Sequence, residues 1–174
     1  MGARSLKGIQ RIMVVGCPGS GKSTFSQSLS KILDLPVIHL DSHFWSPGWV
    51  QTNPADWNRR VEELANQPRW VMDGNYSKSW PVRVPRAEAV IWLNMRFFRC
   101  ISNVLRRWRA YSGTPRPDMA EGCPEKVDWR FLAFIADWHL KNRRRVLSRI
   151  AEIRPDLQPV VLKSFREMAT FLDN

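Results

Sequence analysis

Short apolar runs alternate with amphipathic stretches along the whole chain. The apolar run Ile12–Val15 predicts a first strand over about Gln10–Val15, and Lys22–Leu33 predicts a helix. Pro36–Leu40 predicts a second strand ending at Asp41; Ser42–Thr52, with Pro47 and Gly48, predicts a loop. Asn53-Pro54 has the form of an N-cap followed by proline at the first helical position, so a helix is predicted from there to Asn66. Arg69–Met72 and Ala87–Leu93 predict the third and fourth strands, the third ending at Asp73-Gly74. Phe97, Cys100, Ile101, Val104, Leu105 and Trp108 form one apolar helical face, opposite Arg99, Arg106 and Arg107, with Gly113 as a stop. Thr114–Pro124 predicts an exposed loop. A long helix over Val127–Ile153, a strand at Pro159–Leu162 and a helix to Leu172 complete the chain. Such alternation implies an α/β fold: a parallel sheet with helices on both faces.

Composition narrows the class. The chain has 174 residues, 44% of them hydrophobic, so residues 1–174 are expected to form one domain around a single core. There are no internal repeats and no membrane-length apolar run, and Met1–Lys7 lacks the apolar stretch expected of a secretory signal. Cys17, Cys100 and Cys123 are odd in number and include no C-x-x-C pair, which argues against a disulfide framework and a zinc site. A cytoplasmic, reduced protein is expected. The net charge is +11, and Arg96–Arg149 holds 13 Lys/Arg against 5 Asp/Glu. A field of that sign favours a polyanionic ligand, either nucleotide phosphates or nucleic acid, unless it is only a solvated surface. The nine tryptophans are expected mostly in the core or in pocket walls.

The richest segment is Gly16-Cys17-Pro18-Gly19-Ser20-Gly21-Lys22-Ser23, a complete G-x-x-x-x-G-K-[ST] pattern between the first strand and the first helix. Its glycines let backbone N–H groups curl around phosphate oxygens, and the helix N-terminus adds positive charge. Gly16, Pro18, Gly19, Ser20, Gly21, Lys22, Ser23 and Thr24 are therefore the expected nucleotide-binding residues. Lys22 would reach the β- and γ-phosphates, and the Ser23 hydroxyl would ligate Mg²⁺.

In a parallel sheet the ligand lies beyond the carboxyl ends of the strands. Asp73 stands at such an end, as a turn residue of Asp-Gly or as the carboxylate that holds Mg²⁺ with Ser23. Asp41 stands at another, as a loop cap or arginine partner, or as the group that orients an acceptor hydroxyl and takes its proton. His39 and His43 flank it without metal-site spacing. Phosphoryl transfer also needs cations around the transferred group. Arg107, at a helix end, and Arg116, in the exposed loop, are the chosen candidates among many arginines.

The phosphate loop, HLDSHFWSPGW, WVMDGNY, VIWLN and GTPRPDMAEGCPEK together resemble adenylate-kinase-like P-loop proteins, most closely the DNA topology modulation (FlaR-related) branch. The resemblance covers nearly the whole chain after Lys7. It implies a nucleoside- or nucleotide-kinase fold with strand order 2-3-1-4-5, ATP as donor, a lid at residues 113–126 and an acceptor-binding region at 42–66. Two departures matter. Adenylate kinases usually carry Asp-Gly-Phe-Pro-Arg where this chain has Asp73-Gly74-Asn75-Tyr76-Ser77, so the arginine that clamps an acceptor phosphate is replaced, with Arg83 as a nearby substitute. Asp41-Ser42-His43-Phe44-Trp45 is similar instead to the uridine-kinase Asp-Ser-Phe-Tyr stretch, whose Asp serves the acceptor hydroxyl.

The expectation is an ATP- and Mg²⁺-dependent phosphotransferase acting on a small acceptor: a nucleoside, a nucleotide or a related metabolite. Trp45, Trp49 and Tyr76 are candidates to stack on an acceptor base, with core packing as the alternative for each. The alternative is a nucleotide-responsive regulator that binds DNA through the basic face, although no nucleic-acid-binding motif accompanies that charge. A plain ATPase is a third possibility, without a residue placed to orient water.

Overall fold

The first strand of the chain, β1 (Arg11–Gly16), is the centre of the molecule. In this computed structural model, which describes residues 2–111, 113–114 and 118–174, β1 pairs in parallel on both edges. One neighbour is β3 (Trp70–Asp73) and the other is β4 (Ala89–Leu93). Outside these lie β2 (Val37–His39), parallel to β3, and β5 (Val160–Leu162), parallel to β4. The order is β2-β3-β1-β4-β5, the predicted one. Ile12 to Gly16, all of β3 and all of β4 are buried, as expected of parallel strands covered on both faces.

Register sets the site. Val14 lies opposite Asp73, Gly16 opposite Leu93, and His39 opposite Asp73. The ends of β2 and β3 are therefore level, β1 and β4 run two residues further, and the segments that follow all turn at the same edge of the sheet.

Local signals explain most helices. α1 (Lys22–Leu33) buries Phe25, Ser26 and Leu29, and packs on the C-terminal α8 (Phe165–Asp173), with the Phe25 and Phe171 rings 6.0 Å apart. A short α2 (Leu40–Phe44) follows β2 directly. α3 (Pro54–Ala65) starts as predicted: the Asn53 side chain accepts from Asp56 N at 2.9 Å, and Trp57, Val61, Leu64 and Ala65 are buried at helical spacing. α4 (Trp80–Arg83) is a single turn, and α5 (Phe97–Tyr111) buries Cys100 and Val104 of the predicted apolar face, whereas Trp108 of that face is exposed.

Two predictions change in detail. Residues 42–52, expected as loop, contain the end of α2 and a small antiparallel hairpin pairing Trp45 with Gln51 and Ser46 with Val50. Its turn places Gly48 at φ 77° and Trp49 at φ 65°; pairs this short give no legible alternation. The long helix predicted over 127–153 runs from Trp129 to Ile153 with a changed pitch in the middle. α6 (Trp129–Asp137) passes into a π-helical turn (Trp138–Asn142), a 3₁₀ turn (Arg143–Arg145) and α7 (Val146–Ile153). Among the described residues no helix is long and apolar enough to cross a membrane.

Candidate active site

The loop Gly16–Ser23 joins β1 to α1 at this edge of the sheet. Gly19 (φ 78°) and Gly21 (φ 90°) occupy left-handed backbone that side chains disfavour. At Gly19 space matters as well, since a Cβ there would stand 2.3 Å from the Cys100 carbonyl oxygen of α5. The loop is braced from two sides. Asn103 Nδ2 of α5 donates to Gly19 O at 2.8 Å, and Gly16 N donates to Asn75 Oδ1, beyond β3, at 2.9 Å. Ser20 N and Lys22 Nζ both donate to Cys17 O, at 3.0 and 3.2 Å. Gly21 caps α1 without a side-chain bond, so the first N–H groups of that helix are presented beside Lys22, Ser23 and Thr24 on a cleft. Pro18 and Gly19 line the same cleft, whereas Gly16 and Ser20 are buried in the loop itself.

Opposite the loop stand two carboxylates. Asp73 is 4% exposed, and its Oδ2 bonds His39 Nδ1 at 3.0 Å. Burial opposes charge on His39, but the bond to Asp73 and the negative charges of Asp73, Asp118 and Asp41 outweigh it, so the imidazole titrates above its ordinary value. Asp41, on α2, accepts from Tyr76 OH at 2.6 Å. Burial, and then the charge of Asp41, push the Tyr76 phenol far up, so it stays protonated and keeps donating.

The cleft has a volume of about 1460 Å³, above the roughly 300–1,000 Å³ of a pocket for one small ligand. Phe44, Trp45, Trp49 and Tyr76 form one wall, with the Phe44 ring 5.0 Å from Trp45 and 4.9 Å from Tyr76. Arg106, Arg107, Arg130, Arg145 and Arg149 also line the cleft, so part of the basic segment faces a concave site rather than an open flank.

The sequence candidates fare differently. Lys22, Ser23, Asp41 and Asp73 meet in one cleft. Arg107 also lines it, and its Nε donates to the buried Glu125 carboxylate at 2.9 Å. Arg116 lies outside the described residues. Arg83, the substitute phosphate clamp, is fully buried, and its guanidinium donates to Ser79 Oγ (2.9 Å), Gly74 O (3.1 Å) and Asn75 O (2.5 Å). It shapes the turn after Asp73 and does not face the cleft. Three contributors escaped the sequence reading: Asn75 as loop brace, Tyr76 as the partner of Asp41, and His39 as the partner of Asp73. A WVMDGNY segment next to a phosphate loop was the available signal for the first two, but nothing in it names their partners.

No protein-family model matches the chain, and no curated protein matches it either. Solved structures do. A shikimate kinase from Acinetobacter baumannii in complex with shikimate is 12% identical, with TM-score 0.59, and the match covers 98% of this chain and 93% of that one. A gluconokinase from Sinorhizobium meliloti 1021 is 14% identical, with TM-score 0.53, covering 96% and 89%. At such identities the likeness speaks for architecture: the chain has the α/β fold of small P-loop kinases, with a five-stranded parallel sheet.

Two outcomes test this account. Arg83→Met strips the Gly74 and Asn75 carbonyls of a buried donor and should lower stability by about 3 kcal/mol in urea unfolding. A phosphate-clamp role would instead leave stability intact. The raised pKa of His39 means that its stabilising contribution is fully present below 6.5 and is lost as pH rises through the folded value. In Mg²⁺-free buffer the Tm advantage of wild type over His39→Gln should therefore be larger near about pH 6 than near about pH 8. A pH-independent difference would contradict the pairing.

Proposed function

We propose that this protein is an ATP- and Mg²⁺-dependent phosphotransferase that moves the γ-phosphoryl group of ATP to a hydroxyl of a small acceptor. The observation that carries this reading is the meeting, in one cleft, of the glycine-rich loop with Lys22, the strand-end Asp73 and the acceptor-side Asp41. Two small-molecule kinases share the architecture, one of them described in complex with shikimate, a hydroxylated acceptor. By its motifs the chain would belong to the DNA topology modulation branch of the fold.

In this mechanism the N–H groups at the start of α1 and the Lys22 ammonium hold the β- and γ-phosphates and absorb charge that develops between them. The Ser23 hydroxyl and the Asp73 carboxylate are the residues that would hold Mg²⁺; both offer the oxygen donors that a small hard cation requires. When bound, the ion neutralises phosphate charge. Asp41 orients the acceptor hydroxyl and takes its proton as the new O–P bond forms, while the Tyr76 hydrogen bond fixes the carboxylate. Arg107 and Arg116 supply cationic charge to the transferred group.

Residues 42–66 act as the acceptor-binding region and 113–126 as the lid. The aromatic wall of Phe44, Trp45, Trp49 and Tyr76 favours an acceptor with a flat ring, as a nucleoside or nucleotide presents. The cleft-facing arginines suit the phosphates of both substrates and give the basic segment a use that needs no nucleic acid.

An acceptor screen with γ-labelled ATP and Mg²⁺ tests the reading. Transfer to a nucleoside or nucleotide is expected, falling at least about 100-fold in Lys22→Ala. Asp41→Asn should lower kcat by roughly 10²–10⁴ with little change in KM for ATP. If no acceptor is labelled and ATP instead tightens a salt-sensitive complex with duplex DNA, the protein is a nucleotide-responsive regulator and the kinase reading fails.

A further inference from the structure

Cys17, Cys100 and His139 are far apart in sequence and belong to three elements: the phosphate loop, α5 and the π-helical turn. The fold brings them together. One donor atom from each, the two Sγ and a ring nitrogen, lie within 4.8 Å of one another. Both cysteines are free thiols and fully buried. Both ring nitrogens of His139 are shielded from solvent and have no hydrogen-bond partner among the described residues. The ring is held edge-on by Phe97 and Trp138, each with its centroid 5.4 Å away. An imidazole held in place with both nitrogens unpaired needs a reason, because buried polar groups are normally satisfied. Its position in a π-helical turn, a distortion frequent at functional sites, points the same way.

We propose that Cys17, Cys100 and His139 form a Cys₂His binding site for a thiophilic metal ion, zinc(II) above all. Two sulfurs and one imidazole nitrogen are the donors that zinc prefers over the hard cations. Tetrahedral bonds of about 2.3 Å to sulfur and about 2.0 Å to nitrogen set donor separations of roughly 3.5–3.8 Å, so a contraction of about 1 Å closes the present cluster. Binding exchanges protons for the ion. Two S–H bonds break, two Zn–S bonds and one Zn–N bond form, and two protons pass to the buffer without oxidation or reduction.

The surroundings favour one of the two protons leaving. The hydrogen bond from Cys17 favours the Cys100 thiolate against the effect of burial, and the positive charges of Lys22 and Arg143 add to it. The same bond, and then burial, push the Cys17 thiol up, so the ion itself must displace that proton. A cavity of about 350 Å³, lined by Trp92, His139, Arg143, Arg144 and Leu147, lies against the histidine. This site is separate in chemistry from Ser23 and Asp73, which offer oxygen alone.

Binding there would act on the phosphate loop. Cys17 lies between Gly16 and Pro18, and its carbonyl takes the hydrogen bonds of Ser20 N and Lys22 Nζ. An ion on its sulfur ties that residue to α5 and the π-helical turn.

The test uses the full-length protein, stripped with a chelator under a phosphine reductant and titrated with Co²⁺, then with Zn²⁺. One equivalent of Co²⁺ should produce thiolate-to-cobalt charge-transfer bands and tetrahedral ligand-field bands, and Zn²⁺ should abolish both. Cys100→Ser and His139→Gln should each weaken binding by about 100-fold or more, at or beyond the loss seen when only an outer-shell partner is removed. Cys123→Ser should leave it unchanged, since that sulfur donates elsewhere, to Ser46 O at 3.2 Å. Circular dichroism establishes that each variant is folded, and His139→Gln keeps the test readable if Cys100→Ser is not. The proposal is overturned if folded wild type gives no bands, if the bands survive in both ligand variants, or if Cys123→Ser loses them equally. A Cys17–Cys100 disulfide in peptide mapping, formed in air without metal uptake by the reduced protein, would also overturn it in favour of a redox pair.

Discussion

Everything at this site follows from the parallel pairing of β1 on both of its edges. A strand with parallel neighbours on either side points its carboxyl end the same way as theirs. Three chain segments must then turn at one edge of the sheet, however far apart they lie in sequence. The pairing of Val14 with Asp73, and of Asp73 with His39, fixes the heights of those turns. Shifting β3 by two residues would preserve its inward and outward faces and its buried character. It would also carry Asp73 and Asn75 some 6–7 Å along the strand direction, away from the loop they serve. The apolar core therefore fixes the relative positions of the polar groups.

The turn after β3 shows how charge can serve geometry. Arg83 is wholly buried and gives its donors to neutral partners, three backbone carbonyls and a serine hydroxyl. It has no direct ion pair, and the charge of Asp73 offsets only part of its desolvation. What it provides is shape: with the Gly74 and Asn75 carbonyls turned toward it, Asn75 Oδ1 is held to receive Gly16 N. The chain thus brings together an aspartate, a loop brace and a tyrosine within four consecutive residues, Asp73 to Tyr76, and a buried cation secures them.

Legibility in the sequence followed the range of the interaction. The phosphate loop and the Asn53 cap could be read because each rests on a local pattern, whereas the strand order followed from the resemblance to adenylate-kinase-like proteins. Lys22, Ser23, Asp41 and Asp73 stood out as residues at strand or loop ends, again a local pattern, and they line one cleft. The hairpin at 45–51 was missed because two pairs of residues carry no period. The bonds of His39 with Asp73, Tyr76 with Asp41 and Asn75 with Gly16 span 34, 35 and 59 residues, and no window of sequence contains both partners. The cysteines show the same limit more sharply. Spacing argued against a metal cluster, while the tertiary fold sets Cys17 beside Cys100 and His139.

The hairpin that sequence did not reveal is joined to the chain segment facing it. Gly48 N donates to Gly122 O at 2.9 Å, Trp49 Nε1 to Pro124 O at 3.1 Å, and Cys123 Sγ to Ser46 O at 3.2 Å. Two of these bonds engage the backbone of a tight turn that has little freedom of its own. The aromatic wall and residues 122–124 are thereby tied to one another. A displacement of either must drag the other along or break the seam between them. A molecule filling only one half of the cleft thus leaves its mark on the other.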